Sequence, residues 1–246
     1  MLRFIHAADF HLDSAFAALT PRQAAARRRE SRELALRLAD YVKEHGIDLV
    51  LLAGDLFDSA ASYRDTAEEL SAGLGQLEAQ VYIAPGNHVW YGPGSPYLTV
   101  KWPENVHIFT QPRLETMEWP EKNLALHGAA FTHGEQADGF LTGFTAPADG
   151  KLHIGLLHGE IDPSEARYNP IRKEEIAASG LAYLALGHIH KRTEPLTYGG
   201  TVCAWPGCPE GRGFDELGEK GFYSGGGAAR RHGTGPVPYS AHRRDR

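Results

Sequence analysis

Cysteine is nearly absent from this 246-residue chain, which holds only Cys203 and Cys208. Two are too few for a disulfide framework, so plain thiols in a reducing cytoplasm are expected. Long apolar runs are also missing. None reaches the ~18 residues of a membrane span, and the start, Met1-Leu2-Arg3-Phe4-Ile5-His6, lacks the apolar stretch of a signal peptide. No membrane association is expected. Positive charge is not in excess either. The formal net charge is −6, which argues mildly against a nucleic-acid partner unless bound cations offset it. With 42% hydrophobic and 23% charged residues, the rest is ordinary globular composition.

Histidine is what the chain has in excess, at 13 residues, several of them in short clusters. The clusters follow apolar runs. Ile47–Ala53 is short, rich in branched residues and almost uncharged, as a strand buried on both faces should be. It runs into Gly54-Asp55-Leu56-Phe57-Asp58, which puts Asp55 at the carboxyl end of a central strand, where open α/β sheets place ligands. No Lys or Arg adjoins Asp55 in sequence, and an unpaired buried carboxylate is costly. Metal ions are the expected compensation.

The same design recurs. A first strand over residues 2–8 ends in Asp9-Phe10-His11, whose outer members sit two apart and can face one point. Alone, this pair reads first as a helix cap and a surface histidine. Val81–Ala84 ends in Pro85-Gly86-Asn87-His88, Lys151–Leu157 in His158-Gly159-Glu160, and Leu181–Leu186 in Gly187-His188-Ile189-His190. Helices are expected between the strands. One opens at Thr20-Pro21 with Thr as cap and Pro in the first turn, and stops at Gly46. A second spans residues 63–79, weakened by Gly73 and Gly75, and a short third lies near 172–179. The arginines at 27, 28, 29, 32 and 37 read as a solvated helix face, with a phosphate-contacting patch as the sharper alternative. Residues 90–104, rich in Gly, Pro and aromatics, read as a loop that covers the core or stacks bases. The stretches 106–109, 114–119 and 124–131 read as antiparallel strands of a second sheet.

From Ser224 the apolar pattern stops. Gly225-Gly226-Gly227 leads into five arginines against a single acid, Asp245. Residues 1–223 are therefore expected to form one domain and 224–246 a disordered basic tail. The tail is open to two explanations: a nucleic-acid contact or an altered reading frame.

Collected, the strand-end candidates are Asp9, His11, Asp55, Asn87, His158, His188 and His190. Three oxygen and four nitrogen donors suffice for two metals if one carboxylate bridges. Mixed donors favour manganese, iron or zinc over magnesium or calcium. Two metals ~3.5–4 Å apart are a hydrolytic arrangement for phosphoesters.

The ordered set Asp-x-His, Gly-Asp, Gly-Asn-His, His and Gly-His-x-His resembles the signature of the calcineurin-like metallophosphoesterases across residues 2–222. Within that superfamily, Ala8–Ser14, Ala53–Asp58, Ala185–Lys191 and Trp205-Pro206-Gly207 look most like SbcD-type DNA repair exonucleases, the YhaO-like branch included. The resemblance implies a four-layer α/β/β/α sandwich, two mixed sheets flanked by helices. It implies that Asp9, His11, Asp55 and His190 hold one metal and Asp55, Asn87, His158 and His188 the other, with Asp55 bridging. His88 would be the non-ligand histidine that stabilises the transition state or protonates the leaving oxygen. Two divalent transition metals are implied as cofactors, manganese first and iron or zinc as alternatives.

DNA is the implied substrate, an SbcC-type ATPase an implied partner, and a homodimer is allowed for. A small-molecule phosphodiesterase or phosphatase, and a non-catalytic DNA-binding subunit, are the alternatives. Metal content separates the last from the enzymes. Two departures stand out. Val89 follows Gly-Asn-His where the family usually has Asp, which loosens the expected support of His88. The chain also ends before the capping region and ATPase-binding residues of SbcD-type nucleases, so a weak grip on DNA is expected.

Overall fold

The computed structural model describes residues 2–59, 64–213, 216–227 and 239–243. Along the chain the strands are β1 (Leu2–Ala7), β2 (Leu49–Leu52), β3 (Gln80–Ile83), β4 (Val106–Ile108), β5 (Glu115–Trp119), β6 (Leu124–Gly128), β7 (Leu152–His158), β8 (Glu160–Ile161), β9 (Pro170–Ile171), β10 (Tyr183–Gly187), β11 (Leu196–Tyr198), β12 (Thr201–Ala204), β13 (Gly221–Gly227) and β14 (Tyr239–Arg243). The helices are α1 (Pro21–His45), α2 (Arg64–Gly75), the single-turn α3 (Pro96–Thr99) and α4 (Lys173–Ala178).

Two six-stranded sheets result, ordered β14-β13-β1-β2-β3-β4 and β11-β12-β10-β7-β6-β5; β8 and β9 pair separately. Period-two alternation explains how they stack. On β1 and β2, Phe4, Leu49 and Leu51 face the second sheet and meet Leu126, Ile154, Leu156 and Tyr183. Their neighbours Ile5, Val50 and Leu52 face outward onto Leu38 and Val42 of α1 and Leu70 and Leu74 of α2. The outer face of the second sheet, with Leu157, Leu184, Leu186 and Cys203, is covered by Ile176 of α4, Phe131, Phe140 and Trp205. The order is therefore helices, sheet, sheet, helix and loops: the expected four layers. Strands buried on both faces need continuous apolar runs, which is how they read in the sequence.

α1 is bounded as its sequence requires. Thr20 and Gln23 form a capping box, Pro21 opens the first turn, and Gly46 ends the helix at φ 58°. α2 stops at Gly75, short of residue 79, where two glycines have lowered helix propensity. Among the described residues, no helix is long and apolar enough to cross a membrane.

Two expectations need correction. Of the strands from 106 to 131, only β5 and β6 are antiparallel to each other; β4 pairs parallel with β3 in the first sheet, and β6 parallel with β7 in the second. Short apolar runs do not encode pairing direction; the connections do. The stretch from Ser224 is not wholly irregular. β13 continues through Gly227 antiparallel to β1, with Phe4 opposite Gly225 and Leu2 opposite Gly227, and β14 pairs with β13. Glycines carry no side chain, so this pairing is made of backbone hydrogen bonds and leaves no apolar period to read. The rest of the expected tail, 228–238 and 244–246, lies outside the described residues.

Candidate metal centre

β1, β2 and β3 run parallel, as do β7 and β10, so the carboxyl ends of each set lie at one edge. The two edges meet. A methyl group added at Gly187 would lie 1.7 Å from the Ala53 carbonyl oxygen, so only glycine lets β10 end this close to β2. The loops after β1 and β2 then run side by side: Asp9 N donates to Gly54 O (3.1 Å), His11 N to Asp55 O (2.9 Å) and Leu12 N to Leu56 O (2.8 Å). Asp9, His11, Asp55 and His188 all have positive φ, at 54°, 44°, 48° and 96°. Left-handed backbone at non-glycine residues is uncommon and gathers at functional sites.

All seven strand-end candidates converge. His158 Nε2 lies 3.2 Å from Asp55 Oδ2 and 2.9 Å from Asn87 Oδ1, and His188 Nδ1 lies 3.2 Å from the same Asn87 oxygen. Asp9 accepts the His188 amide at 3.0 Å. His11 Nε2 stands 3.0 Å from His190 Nε2 and 3.8 Å from Asp55 Oδ2. Asp9, His11 and His190 can offer one atom each within 4.8 Å of one another, and so can Asp9, Asp55 and His158. A third such group is His11, Asp58 and His88. Asp9 is thus common to the first two and His11 to the first and third, while Asp55 reaches His158 and His11.

Two of the outer nitrogens are hydrogen-bonded, while that of His11 makes no hydrogen bond. His158 Nδ1 bonds to Ala53 O (2.9 Å) and His190 Nδ1 to Glu216 Oε1 (2.7 Å); His11 Nδ1 lies 3.2 Å from Asp58 Oδ1. A proton on each outer nitrogen leaves the inner Nε2 atoms of His11 and His190 as two lone pairs facing each other at 3.0 Å. A cation in reach of both would satisfy these lone pairs; in the other tautomer one Nε2–H donates to the facing nitrogen. The residues present therefore fit divalent metal ions, in donor type and in the direction of their free lone pairs.

Charge agrees. Burial pushes the Asp9 carboxyl up to about 7 and drives His11 and His188 down to about 4. Burial works against charge on His158 and Asp55 too, but their mutual attraction wins. His158 is raised to about 9 and Asp55 is held well below the usual carboxylate range. Asp9 and His158 thus favour holding a proton, while His11 and His188 favour the neutral form with a lone pair to offer.

His88 lies exposed at the mouth. Its ring is edge-on to His11, with centroids 4.6 Å apart, and its Nδ1 is 3.2 Å from the Asp58 carbonyl oxygen. Its amide donates to Asp55 Oδ1 at 3.0 Å. Val89 is buried in the hydrophobic core, and the main-chain carbonyl of Asp58 holds the His88 ring instead. Sequence reasoning quoted Asp58 without a role and missed Glu216 and Arg212. The spacing Asp55-x-x-Asp58 was the visible signal for the first. Glu216 and Arg212 had none, since they arrive on a loop far along the chain. Three of the α1 arginines are paired: Arg27 with Glu30 and Glu210, Arg32 with Asp13 and Arg29 with Glu33. Both cysteines are free.

YhaO of Bacillus subtilis (strain 168), described as an uncharacterized metallophosphoesterase, is 34% identical over 234 residues, which are 90% of this chain and 56% of YhaO. The DNA double-strand break repair protein Mre11 of Methanopyrus kandleri is 23% identical over 88% of this chain and 50% of its own length. The chain spans about half the length of these relatives. The crystal structure of TT1561 of Thermus thermophilus matches with a TM-score of 0.50 at 12% identity, over 84% of this chain and 89% of that one, a likeness of fold. The family profile of calcineurin-like phosphoesterases matches residues 2–192. The chain belongs to the calcineurin-like phosphoesterase family.

Proposed function

We propose that this chain is a manganese-dependent phosphodiester hydrolase acting on DNA, a nuclease of the SbcD type serving DNA repair. Metal-dependent phosphoester hydrolysis is the activity of its family. The observation that carries the reading is the pair of facing Nε2 atoms on His11 and His190, 3.0 Å apart, beside a buried carboxylate pair and an exposed histidine. DNA as substrate is supported by the distant likeness to Mre11, by its name a DNA double-strand break repair protein.

Asp9, His11, Asp55 and His190 would hold one ion, and Asp55, Asn87, His158 and His188 the other. When bound, such ions supply Lewis-acid polarisation of a phosphoryl oxygen and lower the pKa of water. The chain's own residues do the rest. Ala53 O holds the His158 ring so that Nε2 faces inward. The Asp58 carbonyl accepts from His88 Nδ1, which leaves His88 Nε2 to serve a leaving oxygen. Imidazole exchanges protons near neutral pH, which suits protonation of that oxygen. An SbcC-type ATPase is the partner this reading names, in the cytoplasm, with a homodimer as the assembly to test.

The test is incubation with Mn²⁺ and linear double-stranded DNA, beside a generic phosphodiester and a phosphomonoester. DNA degradation that disappears in His88→Ala, while metal stays bound, is the expected result. Cleavage of the small esters alone would overturn the nuclease reading and leave a phosphodiesterase or phosphatase. Absence of bound metal would overturn the enzyme reading altogether.

A further inference from the structure

The loop after β12 brings a guanidinium to the back of the site. Arg212 Nη1 lies 2.9 Å from Asp58 Oδ1, and Nη2 lies 2.9 Å from Glu216 Oε1. Each carboxylate is also the outer partner of one imidazole: Asp58 of His11 Nδ1, at 3.2 Å, and Glu216 of His190 Nδ1, at 2.7 Å. Arg212 Nη2 is itself 3.1 Å from His190 Nδ1, but the shorter Glu216 contact assigns the proton to the imidazole and the guanidinium hydrogens to the carboxylate. The Arg212 amide closes the turn onto Glu216 Oε2 at 2.7 Å. The loop is in turn anchored to α1, where Arg27 bonds to Glu210 and to the Gly211 carbonyl, both at 3.0 Å, and Ser31 bonds to Glu210 at 3.2 Å. Arg212 and Glu216 lie outside the residues matched by the family profile.

We propose that Arg212 is a positioning residue. By bridging Asp58 and Glu216 it fixes the rings of His11 and His190, so that both Nε2 lone pairs face the cation between them. The proposal rests on the metal reading above. Its logic is geometric, because charge alone points the other way. A guanidinium near a divalent cation repels it. Its presence is favourable only where its own charge is neutralised and its shape holds the partners in place. Both conditions hold: two carboxylates flank it, and the planar fork reaches both at once. A lysine ammonium keeps the charge without the fork.

The opposed signs make a test. Mn²⁺ is titrated calorimetrically into the metal-stripped full chain as wild type, Arg212→Lys and Arg212→Ala. Partners that orient metal-binding histidines typically change affinity by about 10–100-fold. The expected result is that loss at one of two ions in both variants, with the second ion bound as in wild type. That second ion is the internal check that the variant is folded. If Arg212→Ala does not fold, Arg212→Lys decides alone. Unchanged affinity for both ions overturns the proposal. So does tighter binding in Arg212→Ala with wild-type binding in Arg212→Lys, since charge would then be the whole effect. Unchanged metal binding with a raised KM for phosphodiester overturns it as well, in favour of direct substrate contact. If wild type itself binds no Mn²⁺, the metal reading has failed, and that failure is visible before any variant is compared.

Discussion

Gly187→Ala tests the claim that the meeting of two strand ends builds the site. The added carbon would lie 1.7 Å from Ala53 O and 2.8 Å from His158 Nδ1, so the chain must retreat by over an ångström. Relief is blocked on both sides. Ala53 N bonds to Ala7 O at 2.9 Å, and the Gly187 carbonyl accepts from Trp205 Nε1 at 3.0 Å and from Gly159 N at 3.2 Å. Overpacking of this kind costs about 1–3 kcal/mol. Loss of the His158–Ala53 bond adds about 1 kcal/mol or more. A destabilisation near 3 kcal/mol should lower the Tm of a chain this size by about 10 °C. Thermal unfolding of the metal-free variant reads the stability. Mn²⁺ titration reads the site, where a displaced His158 should weaken one ion and leave the His11–His190 ion closer to wild type. A Tm within about 2 °C of wild type, with both ions bound normally, would refute the close-approach argument.

Asp55→Ala should lose both ions, as counted by elemental analysis; retention of two would end the bridging assignment. Trp205→Phe removes the indole N–H that donates to Gly159 O and Gly187 O, both at 3.0 Å, and should cost about 1–3 kcal/mol in urea unfolding with the aromatic packing kept. His6, buried between the sheets and bonded to the Tyr183 hydroxyl and Leu186 O, is driven by burial down to about 3. A depressed histidine contributes stability that is present above its unfolded pKa near 6.5 and lost as pH falls toward the folded value. The metal-free protein should therefore lose about 1.4 kcal/mol per pH unit from His6 between roughly pH 6 and 4. His6→Gln should flatten that slope, and an unchanged slope would show that other groups carry it.

Strand ends were legible because each is announced twice, by an apolar run and by the polar pair that follows it. Ile47–Ala53 before Gly54-Asp55, and Leu181–Leu186 before Gly187-His188, needed no partner to be read. The helix bounds at Thr20-Pro21 and Gly46 were legible for the same reason: the signals are local. What escaped was nonlocal. Arg212 and Glu216 reach the site from a loop after β12, and spacing along the chain carries no information about a contact made over 154 residues with Asp58. The direction of β4 was illegible because a three-residue strand looks the same from either end. β13 escaped because glycine pairs through backbone alone. The Val89 departure looked like a loss at the sequence level. It ceases to be one when a backbone carbonyl, invisible in any sequence, bonds to His88.

The site gathers costly features. Four of its residues hold left-handed backbone, each costing of order 1–3 kcal/mol, and the carboxylates of Asp9 and Asp55 are buried in it with the imidazoles of His11 and His158. Such a place persists only if its geometry is set by bonds that do not depend on the ions. The two strand-end loops supply them. The ladder Asp9 to Gly54, His11 to Asp55, Leu12 to Leu56 and Asp58 back to Leu12 continues the parallel pairing of β1 and β2 past the end of the sheet. The positive φ values of Asp9, His11 and Asp55 fall within this ladder, so the turns that aim these side chains inward are enforced by neighbouring main chain. The outer hydrogen bonds of His158 and His190 go to Ala53 O and Glu216, again to protein, and Asp58 stands 3.2 Å from His11 Nδ1. Metal ions would then arrive at directions already chosen and relieve charge repulsion without having to order the chain. That division explains why the polar residues stand immediately past the strands and not further along their loops.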